Sequence, residues 1–178
     1  MEKTTSCVSL VRSFVCLIKD KNVHDNCHIP KDLFFQDKNF EFESKNKAIE
    51  MAGVYRFFGG NSAQLPNLKQ FIIGDNPRAE DSKGEKCLGN SVYIEMDLEK
   101  PWVRVVTSIV GLPPVFILDE PKYKIITSDL YLLTRIPFLQ LYFDIQSIRE
   151  TAFIGHPVEW KTLFKNIKVL PGGSEYVI

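Results

Sequence analysis

The sequence VRVVTSIVGLPPVFILDEPKYKIITS, residues Val103 to Ser128, predicts three short β-strands joined by two turns. At its start, apolar residues alternate with Arg104 and Ser108, which is the period of a strand with one buried face. Gly111–Pro114 interrupts this pattern, because proline has no backbone N–H to donate to a ladder. The predicted strands are Val103–Ile109, Val115–Leu118 and Tyr123–Thr127. We therefore predict a β-meander at the centre of a sheet.

The segments on both sides of the meander predict further elements. Asn90–Leu98 alternates apolar and polar residues and predicts a strand that pairs with the meander. After the meander, Ser128 suits the N-cap of a helix over Leu130–Arg135, and Asp144 suits the cap of a second helix that Gly155 ends. The apolar stripe of the second helix is Ile145, Ile148 and Ala152. Strands followed by helices indicate an α+β class.

Six apolar residues of the meander and the closing segment are predicted to form one buried cluster centred on a sheet. They are Val105, Ile109, Val115, Ile117, Ile125 and Leu163.

The first fifty residues differ in pattern from the rest of the chain. Met1–Asp20 fits an amphipathic helix, and its β-branched residues fit a strand almost as well. Lys19–Glu50 is polar and lysine-rich, which is typical of a loosely structured connector, and a new apolar run begins at Met51. We therefore predict a partly ordered N-terminal extension over residues 1–50 and one domain over residues 51–178.

Composition restricts the class of protein. The chain has 178 residues, of which 44% are hydrophobic and 25% charged, as in ordinary globular domains. Its 22 basic and 22 acidic residues cancel, which argues against a nucleic-acid partner. The apolar run Cys7–Ile18 is too short to cross a membrane. Four cysteines without a CxxC pair favour reduced thiols, and therefore a cytoplasmic protein.

Two clusters of polar residues suggest chemistry, and each has a simpler explanation. His24, Cys27 and His28 lie close enough in sequence to bind a metal ion, although a structural zinc site needs four ligands. A polar loop explains the same residues. His156 with Glu159 or Asp144 has the residue types of acid–base catalysis, and a surface histidine is the alternative.

Three motifs in the second half follow the order of one known family. Thr107–Phe116 corresponds to the family motif R-D-x-x-G-x-x-P-L-Y, and Thr127–Asp129 to A-S-E. Thr162–Gly173 corresponds to the closing motif T-L-F-x-G-I-x-x-L-P-P-G. Over about Leu88–Ile178 the chain thus resembles the class II glutamine amidotransferase domain of asparagine synthetase and its lactam and lasso-peptide cyclase relatives.

This resemblance implies an incomplete αββα sandwich of the N-terminal-nucleophile hydrolase type. The stretch Met51–Val54 is nearest to the family's Met-Cys-Gly-Ile, so Ala52 stands where the nucleophilic cysteine belongs. Alanine has no nucleophile to offer. The family's glutamine-binding motifs are also absent. We therefore assign no catalytic, cofactor-binding or metal-binding residue with certainty, and Cys7 is the alternative nucleophile, with a buried thiol as its simpler explanation.

The resemblance also implies a function and a partner. We predict a degenerate amidotransferase-like domain, without a cofactor, that serves as scaffold or partner of an ATP-dependent amide-forming ligase. The segment Glu175–Ile178 is predicted to dock onto the ligase, with Tyr176 as its anchor and Trp160 and Phe164 as neighbours; pairing of this strand within its own sheet is the alternative. The rival function is a thiol-dependent amidohydrolase or glutaminase that uses Cys7.

Overall fold

The computed structural model describes residues 14–20, 27–30, 39–43, 47–53, 56–58, 68–74, 91–97 and 102–178. These residues form eleven β-strands and two α-helices. The strands are β1 (Phe14–Asp20), β2 (Asn39–Glu43), β3 (Lys47–Gly53), β4 (Arg56–Phe58), β5 (Leu68–Gly74), β6 (Ser91–Asp97), β7 (Trp102–Val106), β8 (Val115–Asp119), β9 (Tyr123–Thr127), β10 (Ile167–Leu170) and β11 (Glu175–Val177). The helices are α1 (Leu130–Thr134) and α2 (Ile145–Ile154).

The strands form two antiparallel sheets. The six-stranded sheet has the order β10-β8-β9-β1-β3-β2, and the five-stranded sheet has the order β11-β7-β6-β5-β4. Within the described ranges the only helices have five and ten residues. The predicted αββα sandwich is therefore wrong, and the chain is mostly antiparallel β-sheet. Much of the additional strand structure lies in residues 14–50, where the sequence pattern predicts a helix or strand followed by an irregular connector.

The inner faces of the two sheets pack on each other. Alternate residues of β1, β6, β7 and β8 point into this layer, as the two-residue period of a strand requires. We call it the inter-sheet core, and its buried members are Phe14, Cys16, Ile18, Ile49, Ile73, Val92, Ile94, Met96, Val103, Val105, Val115, Ile117 and Ile126. Because both sheets contribute to it, neither sheet can be removed without exposing the other.

The opposite face of the six-stranded sheet is covered by α1 and the chain that follows it. Val15 and Leu17 of β1 point to this side, since they alternate with the inward-facing Phe14 and Cys16. We call this layer the outer core, and its buried members are Val15, Leu17, Ile29, Leu118, Ile125, Leu132, Leu133, Ile136 and Ile167. The six-stranded sheet is therefore buried on both faces around β1, β8 and β9.

The predicted meander is divided between the two sheets. β7 belongs to the five-stranded sheet, whereas β8 and β9 pair with each other in the six-stranded sheet. The connection over residues 107–114 is longer than a tight hairpin, and it crosses between sheets that pack about 10 Å apart. Of the six predicted core residues, four are confirmed as buried: Val105, Val115, Ile117 and Ile125. The single cluster is wrong, because Ile125 lies in the outer core and the other three lie in the inter-sheet core. Ile109 is 65% exposed, and Leu163 is only half-buried, so these two predictions are wrong.

The N-terminal strands are integral to the six-stranded sheet. β1 pairs with β3 on one side and β9 on the other, so the strand alternative is confirmed for residues 14–20, the described part of the predicted segment. The predicted connector is wrong for residues 39–43 and 47–50, which are strand, whereas residues 27–30 contain no helix or strand. The expected boundary after residue 50 falls inside β3, whose residues 47–53 lie on both sides of it.

The start of α1 differs from the prediction by one residue. Asp129, not Ser128, is the N-cap, and its Oδ1 accepts a hydrogen bond from the N–H of Tyr131 at 2.9 Å. The Ser128 hydroxyl instead accepts the N–H of Phe14 at 3.1 Å. The Thr127 hydroxyl donates to the carbonyl of Phe14 at 2.7 Å. The end of β9 therefore anchors the first residue of β1.

Candidate functional site

The position that the resemblance assigns to the nucleophile lies inside a sheet. Ala52 is in β3, opposite Val15 of β1 on one side and Asn39 of β2 on the other. A residue with strands on both sides is held in the middle of a ladder, and its backbone N–H is an amide rather than a free amine. Position 52 thus has neither the thiol nor the amine base of an N-terminal nucleophile.

The two described thiols, Cys16 and Cys27, differ in their environment. Cys16 is fully buried in the inter-sheet core, and this burial raises its pKa to about 12. At neutral pH it is therefore a protonated thiol, which is neither a nucleophile nor a metal ligand. Cys27 is half-buried and has a free thiol. The alternative nucleophile, Cys7, lies outside the described residues.

A buried ionic cluster surrounds Glu50 at the end of β1. The Nζ atom of Lys19 lies 3.1 Å from Glu50 Oε1, and the Nδ1 atom of His28 lies 2.6 Å from the same oxygen. The N–H of Ile29 donates to Glu50 Oε2 at 2.9 Å. Lys19 is only 6% exposed and Glu50 8%, whereas most of the His28 ring faces solvent. The cluster therefore ties residues 27–30 to the six-stranded sheet.

Two of the three residues considered for a metal site, Cys27 and His28, take part in this cluster. Of the three suggested ligands, His24 lies outside the described residues, and His28 contacts Glu50 and Lys19. Cys27 takes part through its carbonyl oxygen, which accepts from Lys19 Nζ at 2.7 Å. In the described part of the chain there is no group of three or more His, Cys, Asp or Glu side chains placed to hold a metal ion. The arrangement is that of an ion pair with a histidine at its rim.

The sequence contained one signal for this cluster. In the strand FVCLIKD, Lys19 continues the outward series of Val15 and Leu17, so a charged side chain points to an apolar layer. Such a lysine needs an anionic partner, because burial of an unpaired charge is costly. The partner could not be identified from the sequence, because Glu50 lies 31 positions away in a segment expected to be irregular.

The residues proposed for acid–base chemistry around His156 are not brought together. Asp144 caps α2, and its pKa is lowered because its carboxylate accepts hydrogen bonds from Ser147 Oγ and from the N–H of Gln146. The ring of His156 is exposed, with Nδ1 3.0 Å from the carbonyl oxygen of Pro157. Among the described residues no hydrogen bond or ion pair joins His156 to Asp144 or Glu159. The surface-histidine alternative therefore fits.

The central turn and the closing turn interlock, although they lie about sixty residues apart. The Thr107 hydroxyl donates to the carbonyl of Pro171 at 2.7 Å and accepts the N–H of Ser174 at 2.9 Å. The carbonyl of Ser108 accepts the N–H of Gly173 at 2.7 Å. A Cβ atom on Gly172 would lie 2.4 Å from the carbonyl oxygen of Ile109, so only glycine fits here. We call this arrangement the turn junction.

A cleft opens beside the turn junction, where β10 and β11 end their sheets. Its volume is about 560 Å³, within the range of small-molecule and peptide sites. Its lining combines apolar side chains with polar ones: Ile117, Trp160, Leu170 and Tyr176 with Asp119, Lys165, Asn166 and Lys168. We call it the edge cleft. It is the place where the sequence predicted docking through Tyr176 and Trp160; Phe164 instead packs against the outer core and stacks on Phe143.

A second apolar surface lies on α2. The predicted stripe of this helix faces solvent: Ile145 is 57% exposed, and Ile148 and Ala152 are exposed as well. The fully buried residue of α2 is Ser147. We call Ile145, Ile148 and Ala152 the α2 stripe. An apolar stripe of this kind on a helix is typical of a surface that another protein covers.

Comparisons with known proteins give no family for this chain. A scan of family models finds none that matches it, and a search of curated proteins finds no match either. Among the described helices, none has the length and apolar character needed to cross a bilayer.

Proposed function

We propose that this chain is a non-catalytic, amidotransferase-like partner domain of an ATP-dependent amide-forming ligase, and that it acts in the cytoplasm. The observation that carries the proposal is the turn junction. Two of the three motifs that resemble the asparagine synthetase family, around Gly111 and around Gly172, contact each other backbone to backbone. The resemblance therefore involves residues that form one structural unit, rather than isolated matches along the chain.

The nucleophile positions support a non-catalytic role. Ala52 has no reactive group, and the thiol of Cys16 is buried and protonated at neutral pH. Removal of a nucleophile from an active triad typically lowers turnover by on the order of a million-fold. A domain with this arrangement contributes through binding rather than through glutamine hydrolysis.

The exposed apolar surfaces support a partner. The α2 stripe and the edge cleft both lie in residues 102–178, the part of the chain that carries the resemblance. An interface in a specific complex buries about 800 Å² on each partner and centres on aromatic or aliphatic anchors. Exposed Ile145 and Trp160 are anchors of this kind.

Co-expression tests the proposal. The tagged chain is expressed with the ligase-type protein encoded beside it, and capture of the ligase is measured together with ATP-dependent amide formation from ammonia. We expect the chain to capture the ligase. We also expect the complex to form the amide when ammonia is supplied and not when glutamine is supplied instead. A ligase that is not captured and is equally active alone would contradict the proposal. Release of ammonia from glutamine that disappears in Cys7→Ala would favour the rival amidohydrolase instead.

A further inference from the structure

The two C-terminal strands lie at the same edge of the molecule but end their sheets differently. The outer edge of β10 is covered, because the N–H of Val169 donates to the carbonyl of Trp160 at 2.8 Å and Lys168 forms a bridge with Lys161. The outer edge of β11 has no backbone partner within the part of the chain that the structure describes. Among the described residues, this edge of the five-stranded sheet is thus open for pairing.

The hydrogen bonds of β11 show which of its backbone groups are available. Val103 and Ile178 exchange two hydrogen bonds of 3.2 and 3.0 Å, and the N–H of Thr107 donates to Ser174 at 2.9 Å. Hydrogen-bonded residues alternate with outward-facing residues in an antiparallel strand. Glu175 and Val177 therefore direct their N–H and C=O groups away from β7. Unpaired groups of this kind are a template for another strand.

The rigidity of β11 favours pairing without rearrangement. Arg104 on β7 donates to both carboxylate oxygens of Glu175, at 2.8 and 3.1 Å. The ring of Tyr176 packs against the inter-sheet core, and its hydroxyl donates to Asp119 Oδ2 at 3.4 Å. Because both faces of the strand are held, the edge is preorganised for a further strand.

The charges of the edge cleft indicate the kind of segment that it accepts. Lys165 and Lys168 line the cleft, are exposed, and form no ion pair within the described residues. The one carboxylate in the lining, Asp119, already contacts Lys124 and Tyr176. The mouth of the cleft is thus positive, while Ile117 and Leu170 make its interior apolar.

We infer that β11 binds an extended segment of a partner protein by strand addition, with apolar side chains in the edge cleft and an acidic side chain against Lys165 and Lys168. A strand added to β11 turns every second side chain into the inter-sheet space, where the cleft lies. Its backbone meets the outward groups of Glu175 and Val177. The inference rests on the proposed function only for which protein carries the segment.

The first test uses a labelled, acetylated eight-residue peptide. Its odd-numbered positions are threonine, and its even-numbered positions are valine, valine, glutamate and valine in that order. Fluorescence anisotropy should show saturable binding to the full chain, and a peptide with lysine in place of glutamate should bind more weakly. Two N-methylated versions are the controls. Methylation of the alternate amides that face β11 should abolish binding, and methylation of the other set should not. Equal effects of both sets would overturn strand addition.

The second test changes one backbone group of β11. Val177→Pro removes an outward N–H, and proline is tolerated where a strand's N–H faces solvent. We expect it to weaken peptide binding about threefold to tenfold. Val177→Thr, which keeps the N–H, is the matched control and should bind like the wild type. Equal binding by the wild type and Val177→Pro would overturn the inference, as would absence of peptide binding at millimolar concentration.

Charge reversal tests the acidic residue of the segment. Lys168→Glu should weaken binding of the glutamate peptide and strengthen binding of the lysine peptide. Unchanged discrimination between the two peptides in Lys168→Glu would contradict the assigned polarity.

Capture of the ligase separates this inference from the proposed function. Loss of capture in Val177→Pro and in Tyr176→Asp, with capture retained in Ile148→Asp, supports both. Loss in Ile148→Asp alone, with no binding of the peptide to β11, leaves the proposed function standing and overturns strand addition. Peptide binding without any ligase capture supports strand addition and contradicts the proposed function. A concentration-dependent dimer that Val177→Pro dissociates would identify a second copy of the chain as the occupant and overturn the inference.

Discussion

The two helices differ in where their apolar residues lie: those of α1 are buried, and those of α2 face solvent. α1 buries Leu132 and Leu133 against the outer face of the six-stranded sheet. α2 turns Ser147 inward and exposes Ile145. Both helices begin at an aspartate cap and carry apolar residues, so their sequence patterns predict the same packing. The difference shows that an apolar stripe identifies a contact face, but does not tell whether the contact is within the chain or with a partner.

Polar interactions explain how α2 is held with this orientation. Ser147 Oγ donates to Asp144 Oδ2 at 2.8 Å, and Thr151 Oγ1 donates to the Ser147 carbonyl at 2.8 Å. Glu150 accepts the N–H of Val158 at 2.8 Å and lies 3.8 Å from Lys161. The inward side of the helix thus has its polar groups paired, and the apolar side is left for solvent or a partner.

The largest effect on stability should come from shortening a buried side chain of α1, compared with an exposed side chain of α2. Leu133→Ala removes a side chain buried in the outer core and should lower the free energy of unfolding by about 2–5 kcal/mol. Ile145→Ala should change it by less than about 0.5 kcal/mol, because the side chain faces solvent. Chemical denaturation with urea measures both. Similar losses in the two variants would mean that α2 is buried as α1 is, and the comparison would fail.

The same contrast explains how much of the fold the sequence could predict. Alternation from Val103 onward and the apolar run Val115–Leu118 predicted strands with buried residues, because both patterns are local properties of the sequence. The sheet that each strand joins is not determined by its local sequence. The crossing between the sheets is held by the turn junction, which includes Gly172 and Ser174, more than sixty residues away. The division of the meander between two sheets could not be predicted for that reason.

The prediction of an αββα sandwich was wrong because of residues far from the motifs. The motifs lie in residues 107–173, whereas the paired strands β1, β2 and β3 lie before residue 54. The candidate site could not be predicted for the same reason, because the environments of Ala52 and Glu50 depend on pairing between β1 and β3. Pairing register is set by tertiary packing, which a single sequence pattern does not specify.

Two glycines allow the same comparison for the backbone, because Gly172 is closely packed and Gly155 has open space around it. Gly172→Ala places a Cβ 2.4 and 2.7 Å from backbone atoms of Ile109 and Gly111, and should destabilise the chain by about 3 kcal/mol. Gly155→Ala, at the end of α2, meets no atom within 4 Å and has only its positive φ to oppose it, which costs about 1 kcal/mol. Thermal unfolding at matched concentration compares them. A smaller loss for Gly172→Ala than for Gly155→Ala would contradict the turn junction.

The buried thiol gives a test in alkaline solution. Burial raises the pKa of Cys16 to about 12 from an ordinary value of 9.0, so between these values the unfolded chain ionises and the folded chain does not. The contribution to stability is complete below pH 9 and is lost as the pH rises through the folded pKa, by at most about 1.4 kcal/mol per pH unit. The stability of Cys16→Ala should fall less steeply above pH 9 than that of the wild type. Parallel curves would indicate that solvent reaches the thiol.

The smallest effect is expected at the cap of α2. Hydrogen bonds from Ser147 and the N–H of Gln146 lower the pKa of Asp144. A lowered folded pKa means that the contribution is present above the ordinary carboxyl value of 3.8 and is lost as the pH falls through the lowered value. Asp144→Asn keeps an oxygen for the cap but cannot ionise. The difference in melting temperature between wild type and Asp144→Asn should therefore shrink from pH 6 to pH 2. Because α2 has no apolar side chain fully buried against the body of the chain, amide hydrogen exchange in this helix should follow the same trend, and exchange in α1 should not. A pH-independent difference, or equal responses of the two helices, would show that packing and not its cap holds α2.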